Sequence, residues 1–154
     1  MSIKNIANAT KLPETFRWYV PNWNGDDPPF LELRPATTEN AAYTAARLQL
    51  EKSADHQRIA RGGVNGLTVD KINKLRDADY PIFAKTVVVG WGGFFEDLPE
   101  GSLPGAKPAP FVFQQDNHAR TEELLRALGP VNFDALREAA RTPDRSQVGD
   151  LGKS

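Results

Sequence analysis

Glycine and proline concentrate after residue 89 and exclude regular structure from a long part of the chain. Gly90, Gly92 and Gly93 end the element before it, and residues 94–110 then hold two further glycines and four prolines. Glycine weakens regular structure through its backbone freedom, and proline lacks the N–H that helices and inner strands require. We therefore predict an irregular connection here, with the regular elements of the fold lying before and after it.

Two short segments before this connection are typical of β-strands. Residues 16–20 are aromatic and β-branched, and residues 30–34 alternate apolar with polar side chains. The segment from Asn22 to Pro29 between them is dense in turn-forming residues. We predict a β-hairpin over residues 14–36, and because two strands alone are only marginally stable, it must pack against helices.

Helix signals recur through the rest of the chain. Candidate N-caps precede three of the helical patterns, a proline suits the first turn of another, and glycines end several of them. The capping candidates are Thr37 or Thr38, Asp116 or Asn117, and Asn132, with Pro81 in the first-turn position. The predicted helices cover residues 38–61, 68–78, 80–91, 116–128 and 132–141.

Residues 86–89 are ambiguous within this assignment. The run Thr86-Val87-Val88-Val89 favours a strand by propensity, because β-branched side chains suit a pleated backbone. Tyr80, Ala84, Val87 and Trp91 nevertheless share one face of a helix. We predict a buried helix over residues 80–91.

The predicted fold is α+β and mostly helical. It consists of the hairpin followed by about five short helices packed as a small bundle, in a single domain over residues 14–141. Residues 1–13 and 142–154 are polar. We predict that residues 1–13 form a flexible arm and residues 142–154 a disordered tail.

The amino-acid composition excludes several classes of binding partner and binding site. The chain has 19 Lys and Arg against 20 Asp and Glu, a net charge of -1, whereas nucleic acids and anionic membranes bind concentrated basic surfaces. It contains no cysteine, which excludes disulfides and thiolate zinc sites.

The sequence also lacks signals for membrane insertion and secretion. The most apolar stretch, residues 82–95, is too short to span a bilayer, and residues 1–10 lack the apolar core of a signal peptide. We expect a soluble cytoplasmic protein that binds neither nucleic acid nor membrane.

No pattern of residues predicts catalysis. Ser53, Asp55 and His56 diverge on one predicted helix and cannot align as a triad. His118 has no second histidine near it to complete a metal site. The sequence Gly149-Asp150-Leu151-Gly152-Lys153-Ser154 has two residues between its glycines, where a phosphate-binding loop requires four. We therefore predict no enzymatic activity, no cofactor and no metal.

Aromatic side chains give the strongest indication of function. Most of them are expected in the core, but Trp23 lies in the polar turn of the predicted hairpin. Phe94, Phe95, Phe111 and Phe113 flank the irregular connection, where aromatic side chains often anchor a protein partner. We predict that these five residues bind a partner.

The order of the segments resembles a known family. Phe16-Arg17-Trp18-Tyr19 opens the predicted hairpin, and Ala84-Lys85-Thr86-Val87-Val88-Val89-Gly90-Trp91-Gly92-Gly93-Phe94 leads into the Gly/Pro-rich connection. Asp116-Asn117 then opens a leucine-rich helix, and Asn132-Phe133 opens the last one. Over residues 14–141, this order is similar to that of the small tail-assembly chaperones of long-tailed bacteriophages.

The resemblance implies a non-enzymatic role in the cytoplasm of a bacterial host. Such a chaperone keeps the tape-measure protein soluble and recruits tail-tube subunits around it, and it is absent from the finished virion. The alternative from the same residues is a structural virion protein, such as a neck, decoration or minor tail component. Self-association into a homo-oligomer is compatible with either role.

Overall fold

A computed structural model describes residues 14–53 and 68–143. These residues form three strands and four helices, in the order β1 (Phe16–Tyr19), β2 (Phe30–Leu33), α1 (Ala41–Glu51), α2 (Val69–Thr86), β3 (Val88–Gly92), α3 (His118–Ala127) and α4 (Pro130–Arg141). The predicted α+β, mostly helical class is confirmed. The prediction of five helices is wrong, because the described residues form four. The predicted arm, the tail from residue 144 and the part of the first predicted helix beyond residue 53 lie outside the described residues.

The strands form one antiparallel sheet in the order β1-β2-β3. The predicted hairpin is confirmed, with Phe16 opposite Leu33 and Tyr19 opposite Phe30. A third strand extends it, and Trp91 of β3 lies opposite Leu31 of β2. Because successive side chains in a strand point to opposite faces, Phe16, Leu31 and Leu33 bury one face of the sheet against the helices.

The separate helices predicted over residues 68–78 and 80–91 are wrong. A single helix, α2, passes through Asp79 and contains Pro81 in its interior. Proline removes one intrahelical hydrogen bond, but Tyr80, Phe83 and Ala84 beside it are all buried in the core. We attribute the continuity of α2 to this burial, which offsets the local cost of the proline.

The end of the predicted 80–91 helix is strand β3 instead. Here the strand propensity of Val88 and Val89 prevails, because β3 pairs with β2: Val88 lies opposite Leu33, and Val89 is the extra residue at a register shift before Gly90. Gly92 fits this position for a steric reason: a Cβ atom there would lie 2.8 Å from the ring of Phe30. Trp91 therefore belongs to the sheet and not to a helical face.

The helix caps follow the predictions only in part. Asn117, one of the two candidates predicted, caps α3 by accepting a hydrogen bond from the Arg120 amide. Asn40, and neither Thr37 nor Thr38, caps α1 by accepting from the Tyr43 amide. The last helix begins earlier than predicted, with Gly129 as its N-cap and Pro130 in its first turn. Asn132 lies inside α4 and donates its side-chain amide to the Leu128 carbonyl at 2.9 Å.

The core lies where α2 meets the sheet and the other helices. The Tyr80 and Phe133 rings stack with their centroids 4.1 Å apart, and Phe83 meets Phe133 edge-on at 5.6 Å. Leu31, Leu33, Leu125 and Leu136 complete it without solvent exposure. Among the described residues, no helix is both long enough and apolar enough to cross a membrane.

Candidate protein-binding surface

An open, uncharged groove lies between the β1–β2 turn and the corner where α3 meets α4. Its volume is about 320 Å³. Its lining contains neither an acid nor a base and consists of Val20, Pro21, Asn22, Trp23, Phe94, Leu124, Ala127, Leu128 and Asn132. We call it the Trp23–Phe94 groove, because it brings these two predicted partner-binding residues together.

The β1–β2 turn places Trp23 at the rim of the groove. The Val20 amide donates to the Pro29 carbonyl at 2.9 Å and closes the base of the turn. Gly25 has a φ of +147°, and a Cβ atom there would lie 3.2 Å from the indole Nε1 of Trp23. The turn therefore holds the indole close to its own backbone, with 48% of the residue still exposed.

The opposite wall comes from α3 and the start of α4. Gly129, with a φ of 88°, and Pro130 form the turn between the two helices. Leu124 is buried, and Leu128 packs against the core from its edge. The same two leucines belong to the groove wall and contact the core, so this wall is apolar.

An extended arm, residues 95–110, leaves the body beside the groove, and every one of its residues is exposed. It is the irregular connection predicted from glycine and proline. The Ser102 amide donates to the Pro99 carbonyl at 3.2 Å and the Ala106 amide to the Leu103 carbonyl at 3.0 Å. Gly101 and Gly105, with φ of +80° and +83°, occupy the third positions of these two turns, as a type II turn requires. The arm thus has a defined shape and presents Phe95, Leu98 and Leu103 to solvent.

The base of the arm is tied to β3. The Phe111 amide donates to the Phe94 carbonyl at 2.8 Å, and the Glu96 amide donates to the Ala109 carbonyl at 2.8 Å. The Trp91 indole stacks on Phe111 with centroids 5.5 Å apart and meets Phe113 edge-on at 5.0 Å. Phe111 and Phe113 are therefore half-buried against Trp91.

Arg120 of α3 is the second anchor of the arm, and sequence reasoning missed it. Its guanidinium carbon lies 3.9 Å from the centroid of the Phe111 ring, a cation–π contact. Its Nε donates to the Val112 carbonyl at 2.8 Å, and its Nη2 lies 3.5 Å from a Glu96 carboxylate oxygen. Phe111 and Val112 lie in the irregular segment before α3, and Glu96 lies further back in the arm, so no helix or strand spacing could have identified this residue.

The structure thus divides the five predicted residues into two groups. Trp23 and Phe94 line the groove, and Phe95 follows Phe94 onto the arm with 61% of its surface exposed. Phe111 and Phe113 pack on Trp91 at the base of the arm. Phe95 thus lies on the arm next to a residue of the groove, whereas Phe111 and Phe113 hold the base of the arm.

Apolar burial is the interaction that this surface offers. Aromatic and aliphatic side chains dominate the groove, and burying them against a partner is favourable. Within residues 14–53 and 68–143, no group of three or more His, Cys, Asp or Glu side chains could hold a metal ion. No protein-family model matches the sequence, and neither the curated proteins nor the solved structures include a match.

Proposed function

We propose that this chain is a non-enzymatic tail-assembly chaperone of a long-tailed bacteriophage. It would bind apolar segments of the tape-measure protein in the Trp23–Phe94 groove and recruit tail-tube subunits, in the cytoplasm of the host. The observation that carries the proposal is the uncharged groove with an exposed tryptophan at its rim. The order of segments shared with such chaperones supports the choice of client.

The groove suits an amphipathic helix of the client. Its volume of about 320 Å³ accommodates one or two large apolar side chains. Such a helix presents apolar residues three or four positions apart. One turn of it therefore supplies two apolar side chains that can enter the groove. Each fully buried leucine or phenylalanine contributes about 1.5–3 kcal/mol, so a single site binds weakly. A long client with many such sites is bound with higher avidity, and the chaperone molecules can still dissociate from it one at a time.

The arm provides a second surface for tube subunits. Its two turns are already formed, so binding requires little further ordering of the backbone. Phe95, Leu98 and Leu103 expose apolar area away from the body. Because the arm and the groove are separate over most of their extent, one molecule could hold the client and a tube subunit together.

Quantitative mass spectrometry of purified particles and of the infected-cell lysate tests this function. A chaperone is abundant in the lysate, co-purifies there with the tape-measure protein and is absent from the particles. A fixed copy number in the particles would contradict the proposal and would identify the chain as a neck, decoration or minor tail component instead.

A further inference from the structure

Three arginines surround one buried aspartate at the end of α4 opposite the groove. The Asp79 carboxylate on α2 has a side-chain exposure of 2%. Arg47 of α1 and Arg137 of α4 each donate to it at 2.7 Å, and Arg141 donates at 3.1 Å. A buried carboxylate requires partners, but one guanidinium would already neutralise its charge.

The extended cluster has a surplus of positive charge. Arg137 also donates to Asp134, which accepts from Arg76 through both carboxylate oxygens, each at 2.9 Å. Four arginines therefore share two carboxylates, which leaves two positive charges. Within residues 14–53 and 68–143, no third carboxylate forms an ion pair with any of these four arginines.

Beyond these two carboxylates, the negative charge near the cluster is weaker: Asp77 acts on Arg76 through a coulombic interaction and forms its own ion pair with Arg126 instead. The C-terminus of α4 supplies only about half a negative charge from its helix dipole. The Nε atom of Arg137 is buried and has no hydrogen-bond partner among the described residues. Because this N–H is enclosed, a ligand reaches the cluster through the more exposed guanidinium groups of Arg47 and Arg141.

Two of the three arginines remain accessible to a ligand. The side chains of Arg47 and Arg141 are 25% and 39% exposed. Each donates to Asp79 through a single nitrogen, so the other N–H groups of its guanidinium are not used by that bond. A guanidinium fork matches the paired oxygens of a carboxylate or phosphate.

We propose that Arg47, Arg137 and Arg141 form a binding site for an oxyanion, a carboxylate or phosphate group, with Asp79 holding the three guanidinium groups in place. An oxyanion supplies negative charge and accepts from the N–H groups of Arg47 and Arg141 that Asp79 does not use, whereas a neutral ligand supplies no charge and a cation is repelled. The group can come from an acidic segment of a partner protein or from free phosphate. The site is independent of the proposed chaperone function, because it shares no residue with the Trp23–Phe94 groove.

Isothermal titration calorimetry of the full chain tests this site. The probes are inorganic phosphate and, separately, a tetraglutamate peptide, both at constant ionic strength maintained with chloride. We expect saturable binding to the wild type and an increase of about tenfold or more in Kd for Arg141→Gln, which loses one charged fork. Arg17→Gln is the matched control, because Arg17 pairs with Glu32 on the sheet, and it should retain the wild-type Kd.

The two probes distinguish the sources of the oxyanion. Tighter binding of the peptide would indicate an acidic protein segment, and binding of phosphate alone would indicate a free phosphate; both support the site. Arg47→Lys retains the charge but loses the planar guanidinium fork, so it should also weaken binding. It replaces Arg141→Gln as the test variant if that protein fails to fold. No binding to the wild type would overturn the proposal. An unchanged Kd in the folded arginine variants would also overturn the proposal, because the bound phosphate or peptide would then be an adventitious ion only.

Discussion

The indole Nε1 of Trp91 donates a hydrogen bond of 2.6 Å to the carbonyl oxygen of Phe111, and the two rings stack. Trp91 lies in β3, and Phe111 lies where the arm returns to the body. The Phe111 amide in turn donates to the Phe94 carbonyl. This pair of residues therefore links the sheet, the arm and the groove, and the orientation of the arm depends on it.

Trp91→Phe should destabilise the protein by about 1–2 kcal/mol, because it leaves the Phe111 carbonyl without its donor and keeps an aromatic ring for stacking. Urea unfolding measures this change. Hydrogen exchange should also become faster at the Phe111 amide, since the base of the arm opens more often. Unchanged exchange there would show that the arm is held without this bond.

Gly93→Ala should be more destabilising than Gly101→Ala. Both glycines have positive φ, at +84° and +80°, so alanine at either position is strained by about 1–2 kcal/mol. A Cβ atom at Gly93 would also lie 2.9 Å from the Cα of Pro29, whereas one at Gly101 would have no neighbour within 4 Å. Equal losses of unfolding free energy in the two variants would contradict the close approach of Gly93 to Pro29 of the β1–β2 turn.

Asp79→Asn should be strongly destabilising, by about 3–5 kcal/mol, because it leaves three guanidinium groups around a neutral, buried side chain. The matched control is Asp77→Asn, two positions earlier on α2. The Asp77 side chain is 63% exposed, and its distance of 3.5 Å to Arg126 is that of a weak surface pair. We expect a change within about 0.5 kcal/mol for this control. Chemical denaturation of the two variants at pH 7 measures the difference.

Asp134 should contribute to the loss of stability in acid. A hydrogen bond from Arg76, assisted by Arg137, lowers the pKa of this carboxyl below its ordinary value of 3.8. A depressed pKa means that the unfolded state binds the proton more readily, so this stabilisation is present above the ordinary pKa and disappears as the pH falls below it. Between roughly pH 5 and pH 2, the wild type should lose more unfolding free energy than Asp134→Asn. Parallel pH profiles of the two proteins would contradict this contribution.

The sequence predicts the local elements better than the elements that depend on distant contacts. The alternation at residues 30–34 and the cap at Asn117 are local signals, and β2 and α3 form where they indicate. The strand at residues 88–92 forms because β2 pairs with it, and β2 is far away in sequence. Burial of Tyr80 and Phe83 likewise carries α2 through Pro81, against the local signal of a helix start.

The candidate site was predictable in its residue types but not in its geometry. Trp23 and Phe94 were predicted separately, from a polar turn and from the edge of the Gly/Pro-rich stretch. Only the fold places them on one groove with Leu124 and Leu128. Arg120 and the Asp79 cluster carry no sequence signal, because each depends on groups brought together from different helices or loops.

We propose above that the Trp23–Phe94 groove binds an apolar helical segment. Fluorescence anisotropy measures this binding, with labelled peptides that cover the helical stripes of the proposed client, the tape-measure protein. Trp23→Ala should raise Kd by about tenfold or more with little change in stability, because we propose that the exposed indole anchors the partner. Leu48→Ser alters an equally exposed residue on α1, outside the groove, and should bind as the wild type does. Equal affinities of wild type and Trp23→Ala for every peptide, or an equal loss in Leu48→Ser, would contradict the claim.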